Sequence, residues 1–142
     1  MNVKIKRIDP SLPLPQYHTD GAVAFDLYAR IETKIKPYQF EMIATNFVIE
    51  TPPGYMLMLA ARSSSAKKKG LNMRNGVGII DQDYCGNEDE LYVLIQNLTD
   101  TEVTIEKEER IAQAIFVQIA KPSFTEVDTM HHTSRGGFGS TG

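Results

Sequence analysis

The sequence predicts an all-β protein of many short strands with one short helix. In most segments apolar side chains recur at every second position, as in residues 21–31, where Val23, Phe25 and Leu27 fall on one strand face. Turn-forming residues separate these segments at short intervals, for example the Pro-Pro-Gly of residues 52–54. Such spacing is typical of a β-barrel, a β-sandwich or a jelly roll.

The elements follow one another along the whole chain. The strand candidates are residues 3–8, 21–31, 40–50, 55–62, 91–97, 101–105 and 110–120. Residues 110–120 fit a helical stripe almost as well, but their Ile, Val and Phe content favours a strand buried on both faces. The helix is predicted over residues 64–69, with serine capping its first amides, lysines at its negative end and Gly70 closing it.

Composition restricts the class of protein. A chain of 142 residues is the size of one domain, and 42% hydrophobic with 23% charged residues excludes a disordered or fibrous chain. A net charge of −3 argues against a broad nucleic-acid surface, and the longest apolar run, residues 55–61, is too short to cross a bilayer. We expect no signal peptide. Because Cys85 is the single cysteine, a reducing compartment is the default expectation.

Residues 62–70 form the first segment that could carry chemistry. Five cations and no acid lie between Arg62 and Arg74. A strand that ends in arginine and runs into a helix offers a guanidinium, hydroxyls and free backbone N–H groups to an anion. The alternative is a capped helix with solvated lysines, which is the ordinary interpretation of a charge run.

Residues 78–86 form the second such segment. Asp81 follows an apolar strand, and Asp83 lies two residues further on. The two carboxylates could share a metal ion, or one could act as a base while the other forms a turn. They could equally be ordinary turn residues that cap their own backbone. Tyr84 beside them could stack on a sugar or a base, or belong to the core.

The glycine-rich end of the chain, residues 133–142, is predicted to be a flexible arm that follows a single barrel domain, residues 1–132. Glycine amides, Arg135 and the Ser/Thr hydroxyls could approach a phosphate closely. Phe138 has no local core to enter, so it is either exposed or closes over something. A glycine-rich tail is more often simply disordered.

In this order the segments resemble the five motifs of the homotrimeric deoxyuridine triphosphatase (dUTPase) family. The matching segments are residues 24–29 (AFDLYA), 62–64 (RSS), 75–86 (NGVGIIDQDYCG), 109–113 (ERIAQ) and 135–142 (RGGFGSTG). Each motif alone is a weak to moderate signal, whereas five in sequence are a strong one.

The sequence also departs from the family pattern. Ala24 and Glu108 stand where the family usually has glycine, and Ala61 stands where it usually has proline. Residues 87–89 resemble a small insertion, and the arm is about two residues shorter than usual. None of these changes removes a group that is expected to do chemistry.

The resemblance implies a jelly-roll-like β-barrel (dUTPase-like, β-clip) and a homotrimer with active sites at the subunit interfaces. It implies Mg²⁺-dependent hydrolysis of dUTP to dUMP and pyrophosphate, which keeps uracil out of DNA and supplies dUMP for dTMP synthesis. A triphosphate carries about four negative charges, so an acidic chain needs Mg²⁺ and converging donors to bind it. The implied location is the cytoplasm, or the host cytoplasm or nucleus for a viral protein, with no membrane and no stable nucleic-acid partner.

The resemblance also implies roles for individual residues. Asp81 would activate the attacking water and meet the 3′-hydroxyl, and Asp26 would hold Mg²⁺ through water molecules. Tyr84 would pack against the deoxyribose and leave no room for a 2′-hydroxyl. The implied uracil and deoxyribose contacts are Asn75, Gly78, Ile80, Tyr84 and Phe138. The implied phosphate contacts are Arg62, Ser63, Ser64, Gln113, Arg135, Gly137, Ser140 and Thr141.

Two other functions remain open from the sequence. The first is a dCTP deaminase-like enzyme of the same superfamily, which needs a glutamate poised at C4 of the base, and residues 76–86 contain none. The second is a catalytically silent trimeric module that only binds a nucleotide. The presence of Asp81 argues against it, because binding alone does not require a carboxylate that activates water.

Overall fold

The computed structural model describes residues 1–137, in which eleven strands and one helix alternate with tight turns. The strands are β1 (Ile5–Arg7), β2 (Phe25–Tyr28), β3 (Thr33–Ile35), β4 (Phe40–Ala44), β5 (Phe47–Ile49), β6 (Tyr55–Ala61), β7 (Leu71–Met73), β8 (Val77–Ile80), β9 (Tyr92–Asn97), β10 (Val103–Ile105) and β11 (Arg110–Gln118). The helix, α1, spans Ser63–Lys69.

All strand pairs are antiparallel and form four sheets. The largest sheet has the order β2-β11-β6-β8, the second has the order β4-β9-β7, and the pairs β1-β5 and β3-β10 complete the fold. Most neighbours in a sheet are distant in sequence, which confirms the predicted jelly-roll-like all-β architecture. The sheets enclose one apolar core, whose most buried members include Leu27, Ile35, Ile43, Phe47, Leu57, Leu59, Leu91 and Ile105.

The prediction of one strand over residues 40–50 is wrong, because the chain turns at Asn46. Asn46 has a positive φ of 77° and separates β4, which pairs with β9, from β5, which pairs with β1. Its side-chain oxygen accepts a hydrogen bond from the Asp9 amide (2.6 Å). Asparagine tolerates this conformation better than most residues, and the tertiary contact outweighs the apolar pattern.

The predicted strand over residues 110–120 is confirmed as β11, which lies between β2 and β6 in the largest sheet. The strands β3 and β7 were not predicted, since three residues are too few to establish a period of two.

The predicted helix is confirmed, but its capping differs from the expectation. Arg62 rather than a serine is the N-cap residue, and its side chain makes no capping hydrogen bond. Gly70 closes the helix in the left-handed conformation (φ 63°), and Lys67–Lys69 occupy the last turn, where they complement the helix dipole.

The turn between β10 and β11 holds Glu108 at a φ of 66°. A non-glycine residue in the left-handed region is strained by about 1–2 kcal/mol, and substitution by glycine removes this strain. Glycine also has more conformational freedom in the unfolded chain, which cancels about 0.5–1 kcal/mol of the gain. We therefore expect Glu108→Gly to raise the free energy of unfolding by about 0.5–1 kcal/mol. Urea denaturation measures the change. Glu108→Ala is the control, since it removes the charge but keeps Cβ; equal stabilisation by alanine would assign the effect to charge.

The chain after β11 leaves the barrel. Residues 121–137 are exposed and contain no helix or strand, and Phe124 is 95% exposed. The predicted boundary between residues 132 and 133 stays a prediction. Nowhere in residues 1–137 does a helix combine the length and the apolar character that spanning a bilayer requires.

Candidate active site

An ionic cluster surrounds Asp26 on β2. Its carboxylate oxygen Oδ1 accepts a hydrogen bond from Arg62 Nε (2.8 Å), while Oδ2 lies 3.3 Å from a guanidinium nitrogen of Arg110 and 3.1 Å from His18 Nε2. Asp26 is only 8% exposed, so these partners compensate a carboxylate that would otherwise be costly to bury. With two guanidiniums for one carboxylate, the cluster is electropositive and suits an anionic ligand.

Antiparallel pairing brings Gln113 next to this cluster. Gln113 on β11 is the register partner of Asp26, and its Nε2 donates to the carbonyl oxygen of Ala61 (2.9 Å). Because β6 runs directly into α1, Ser63 and Ser64 follow Arg62 at the same end of the sheet. Four of the predicted phosphate contacts and the predicted metal residue therefore lie at one end of the largest sheet.

A cavity of about 200 Å³ opens beside the cluster. Its charged and polar lining consists of Arg62, Ser64, Ser65, Lys68, Lys69, Glu109 and Arg110. Lys69 is paired with Glu109, the two charged atoms being 2.7 Å apart. Lys68 is exposed, so it adds positive charge at the rim of the cavity.

Of the predicted uracil and deoxyribose contacts, Gly78 and Ile80 lie on β8, which belongs to a different sheet from β7. Asn75 lies in the turn that joins these two strands. Asn75 is exposed, and next to it Gly76 takes a positive φ of 73° and the Gly76 amide donates to the carbonyl of Met73. In β8, Gly78 packs so closely that an added Cβ would lie 3.1 Å from Cβ of Leu59. Sheet packing therefore favours glycine at this position, because a larger residue would need Leu59 to shift.

The loop of residues 81–90 begins where β8 ends. Asp81 is exposed as its first residue, and its carbonyl oxygen accepts a hydrogen bond from the Tyr84 amide (3.4 Å). Gln82 fastens the loop to the barrel by donating from Nε2 to the carbonyl of Tyr55 (2.8 Å). Tyr84 is 39% exposed, and its hydroxyl donates to the carbonyl of Glu90 (3.0 Å).

Within one chain, Asp81 and Arg62 lie at opposite ends of the same pair of strands. Ile80, which precedes Asp81, pairs with Leu57, whereas Arg62 follows the far end of β6. The five steps from Leu57 to Arg62 span about 17 Å of extended chain. A single chain therefore brings together Asp26, Arg62 and Gln113 and, separately, Asp81 and Tyr84, but it does not join the two groups.

The structure covers the arm only in part. Arg135 and Gly137 are exposed and belong to no helix or strand. The predicted contacts Phe138, Ser140 and Thr141 lie outside the described residues.

Sequence reasoning missed two members of the ionic cluster, His18 and Arg110. His18 lies in an irregular segment between β1 and β2, where no pattern marks it. Arg110 belongs to one of the matching motifs, but a bulge in the pairing of β11 with β2 aims it at Asp26, and no sequence pattern showed this bulge.

The donor set around Asp26 fits only a particular kind of metal site. In the portion of the chain that the structure describes, His, Cys, Asp and Glu residues form no group of three that could hold a metal ion. A lone carboxylate, already bonded to two arginines, suits an Mg²⁺ ion that keeps most of its water and takes its other ligands from phosphates. It does not suit a tightly held resident metal.

The chain matches the family model described as dUTPase over residues 11–142. It is 40% identical to the deoxyuridine 5′-triphosphate nucleotidohydrolase of Hydrogenobaculum sp., covering all of this chain and 99% of the relative. It is 36% identical to the protein of that name from Helicobacter pylori, covering all of this chain and 97% of the relative.

Solved structures agree with these matches. The crystal structure of dUTPase from Streptococcus mutans superimposes with a TM-score of 0.79 at 31% identity, covering 84% of this chain and 98% of that one. The dUTPase of Staphylococcus bacteriophage 80alpha, at 24% identity, shares the fold with a TM-score of 0.87 over 99% of this chain and 98% of that one. Family model, relatives and fold agree, and the chain belongs to the dUTPase family.

Proposed function

We propose that this protein hydrolyses dUTP to dUMP and pyrophosphate. The observation that carries the proposal is the family match over residues 11–142, which includes every residue of the candidate site. In a cell this reaction would keep uracil out of DNA and supply dUMP for dTMP synthesis. A reducing compartment such as the cytoplasm suits Cys85, which is a free thiol.

In this proposal the ionic cluster receives the polyphosphate. Arg62 and Gln113 donate to phosphate oxygens, and the serines at the start of α1 add hydroxyl donors. Arg135, Gly137, Ser140 and Thr141 of the arm complete the set of donors. Arginine suits this task, because its planar guanidinium can form two parallel hydrogen bonds to one phosphate.

Asp26 would hold Mg²⁺ through water molecules. When bound, the metal would neutralise charge on the phosphates and stabilise the charge that develops at the α-phosphorus. Arg62 and Arg110 orient the Asp26 carboxylate for this contact, since each bonds one of its oxygens.

Asp81 is the proposed base. It accepts a proton from a water molecule, whose oxygen bonds to the α-phosphorus while the bond from that phosphorus to the leaving pyrophosphate oxygen breaks. Asp81 also accepts a hydrogen bond from the 3′-hydroxyl of the sugar. Asn75 and the neighbouring backbone of Gly78 and Ile80 would read the uracil ring.

Catalysis in this scheme needs more than one chain. A phosphate chain seated at Arg62 cannot also meet Asp81 of the same protomer, because about 17 Å of β6 separates the two. A homotrimer with its sites at the subunit interfaces would bring Asp81 and Tyr84 of one protomer to Arg62 of another. Phe138 would then cover the uracil ring as the arm closes and expels water.

The decisive experiment measures pyrophosphate release from dUTP, dCTP, UTP and dTTP, each with Mg²⁺ and with a chelator. We expect release from dUTP with Mg²⁺, little from the other three, and loss of activity on chelation. Conversion of dCTP would indicate a deaminase-like enzyme instead. Binding of dUTP without any product would indicate a silent binding module.

Tyr84→Ala should relax the rejection of UTP. In the proposed site the tyrosine ring occupies the space that a 2′-hydroxyl would need, so alanine opens that space. We expect the ratio of kcat/KM for dUTP over UTP to fall about tenfold or more, on the scale of steric discrimination by one side chain. Tyr38→Ala, which removes an exposed tyrosine in the turn between β3 and β4, is the comparison. An unchanged ratio in Tyr84→Ala would place the discrimination elsewhere.

A further inference from the structure

A buried ion pair lies at the end of the loop of residues 81–90. Arg30 Nε and a terminal guanidinium nitrogen donate to the two carboxylate oxygens of Glu90, both at 2.8 Å. The Glu90 side chain is 5% exposed and that of Arg30 is 24% exposed. A bidentate contact of this kind fixes the position of the carboxylate more firmly than one hydrogen bond does.

Further donors hold the same carboxylate. The amide of Asn46 donates to Oε1 (2.8 Å), and the Tyr92 hydroxyl lies 3.3 Å from Oε2. Burial favours the neutral acid, but the hydrogen bonds from Arg30 and Asn46 outweigh it and hold the pKa of Glu90 below its ordinary value. Glu90 is therefore ionised, and its carboxylate is held in place by Arg30 and by the backbone of Asn46.

The backbone carbonyl of Glu90 accepts a hydrogen bond from the hydroxyl of Tyr84. This hydrogen bond measures 3.0 Å. The amide of the next residue, Leu91, donates to the carbonyl of Phe47 (2.8 Å), which fixes the backbone at this point. Burial raises the pKa of Tyr84, with further contributions from the negative charges of Asp89 and Glu90, so the phenol stays a donor at neutral pH. The Tyr84 ring is thus held at both ends, by its own backbone and by Glu90.

We propose that Glu90 and Arg30 are positioning residues that set the Tyr84 ring and thereby the preference for dUTP over UTP. The proposal rests on the role given above to Tyr84. Neither residue touches the nucleotide; both act through the Glu90 carbonyl. The Tyr84 ring can exclude a 2′-hydroxyl only if the ring stays in position. A shift of about 1 Å is enough to change the geometry of a bound substrate.

The test compares four variants by the ratio of kcat/KM for dUTP over UTP. Glu90→Gln removes the charge at nearly constant volume, Arg30→Lys removes the bidentate contact with Glu90, and Tyr84→Phe removes only the hydroxyl. Ile35→Val is the control for stability, because Ile35 is fully buried in β3, which pairs with β10. We expect the first three to lower the ratio about five- to tenfold, the scale of one lost hydrogen bond, and the control to leave it unchanged.

A double-mutant cycle separates positioning from general loosening. If Glu90 acts through the tyrosine hydroxyl, Glu90→Gln lowers the ratio in the wild type but not in the Tyr84→Phe background. Additive losses would overturn the inference, as would a wild-type ratio in Tyr84→Phe. The last variant retains the ion pair, so it decides the question even if the Glu90 and Arg30 variants do not fold.

Failure of the proposed function has a different signature. If the wild type does not prefer dUTP, or if Tyr84→Ala keeps the preference, the role of Tyr84 is wrong. If the wild type is selective and Tyr84→Ala is not, while Tyr84→Phe and Glu90→Gln remain selective, only the positioning inference fails.

Discussion

Asp81→Asn is expected to lower kcat about 10²–10⁴-fold, the range that a general base contributes, while nucleotide affinity stays close to that of the wild type. Asparagine keeps the shape of the side chain but cannot accept the proton of the attacking water. The lost interaction is made mainly in the transition state, so kcat falls and ground-state binding does not. Steady-state hydrolysis of dUTP measures kcat, and calorimetry with an α,β-imido analogue measures affinity.

Asp83→Asn is the matched control for this experiment. Asp83 is an exposed carboxylate on the same loop, two residues from Asp81. The same chemical change there should leave kcat within about threefold of the wild type, as expected for an exposed residue outside the machinery. Asp81→Asn turnover near the wild-type value would remove Asp81 from the mechanism, and an equal loss in both variants would point to the charge of the loop.

Much of the fold could be predicted because strands with one buried face carry their signal locally. The apolar alternation of residues 21–31 marks β2, and the turn residues around Pro52 mark the start of β6. The break at Asn46 could not be predicted in the same way. It depends on contacts with Asp9 and Glu90, which are 37 and 44 residues away in sequence. Tertiary hydrogen bonds of this kind override a local apolar pattern.

The candidate site shows the same division. Arg62 could be nominated from its residue type and position, because an anion site requires cations, whereas Asp26 was nominated by the resemblance to the family. The sequence did not reveal that the two side chains bond each other across 36 residues, or that Arg110 joins them. Motifs thus identify the chemical groups, whereas the pairing register of β2, β6 and β11 determines which of them meet.

Deletion of residues 134–142 is expected to abolish most dUTP hydrolysis without unfolding the protein. The deleted segment contains five of the proposed substrate contacts, namely Phe138, Arg135, Gly137, Ser140 and Thr141. Loss of one preorganised donor to a transition state typically costs about 10²–10³-fold in kcat, so loss of several should reduce dUTP turnover at least that far. Pyrophosphate release measures the rate.

Stability and assembly should survive the same deletion. Residues 134–137 are exposed and contribute nothing to the core, and the ionic cluster around Asp26 consists of residues that precede the deleted segment. The thermal midpoint should therefore stay within about 2 °C of the wild type, as for a change outside the core. Size-exclusion chromatography with light scattering should give the same number of subunits for both proteins. Dissociation of the truncated protein to monomers would show that the arm holds the assembly together, and its effect on catalysis would then follow from the loss of sites shared between chains.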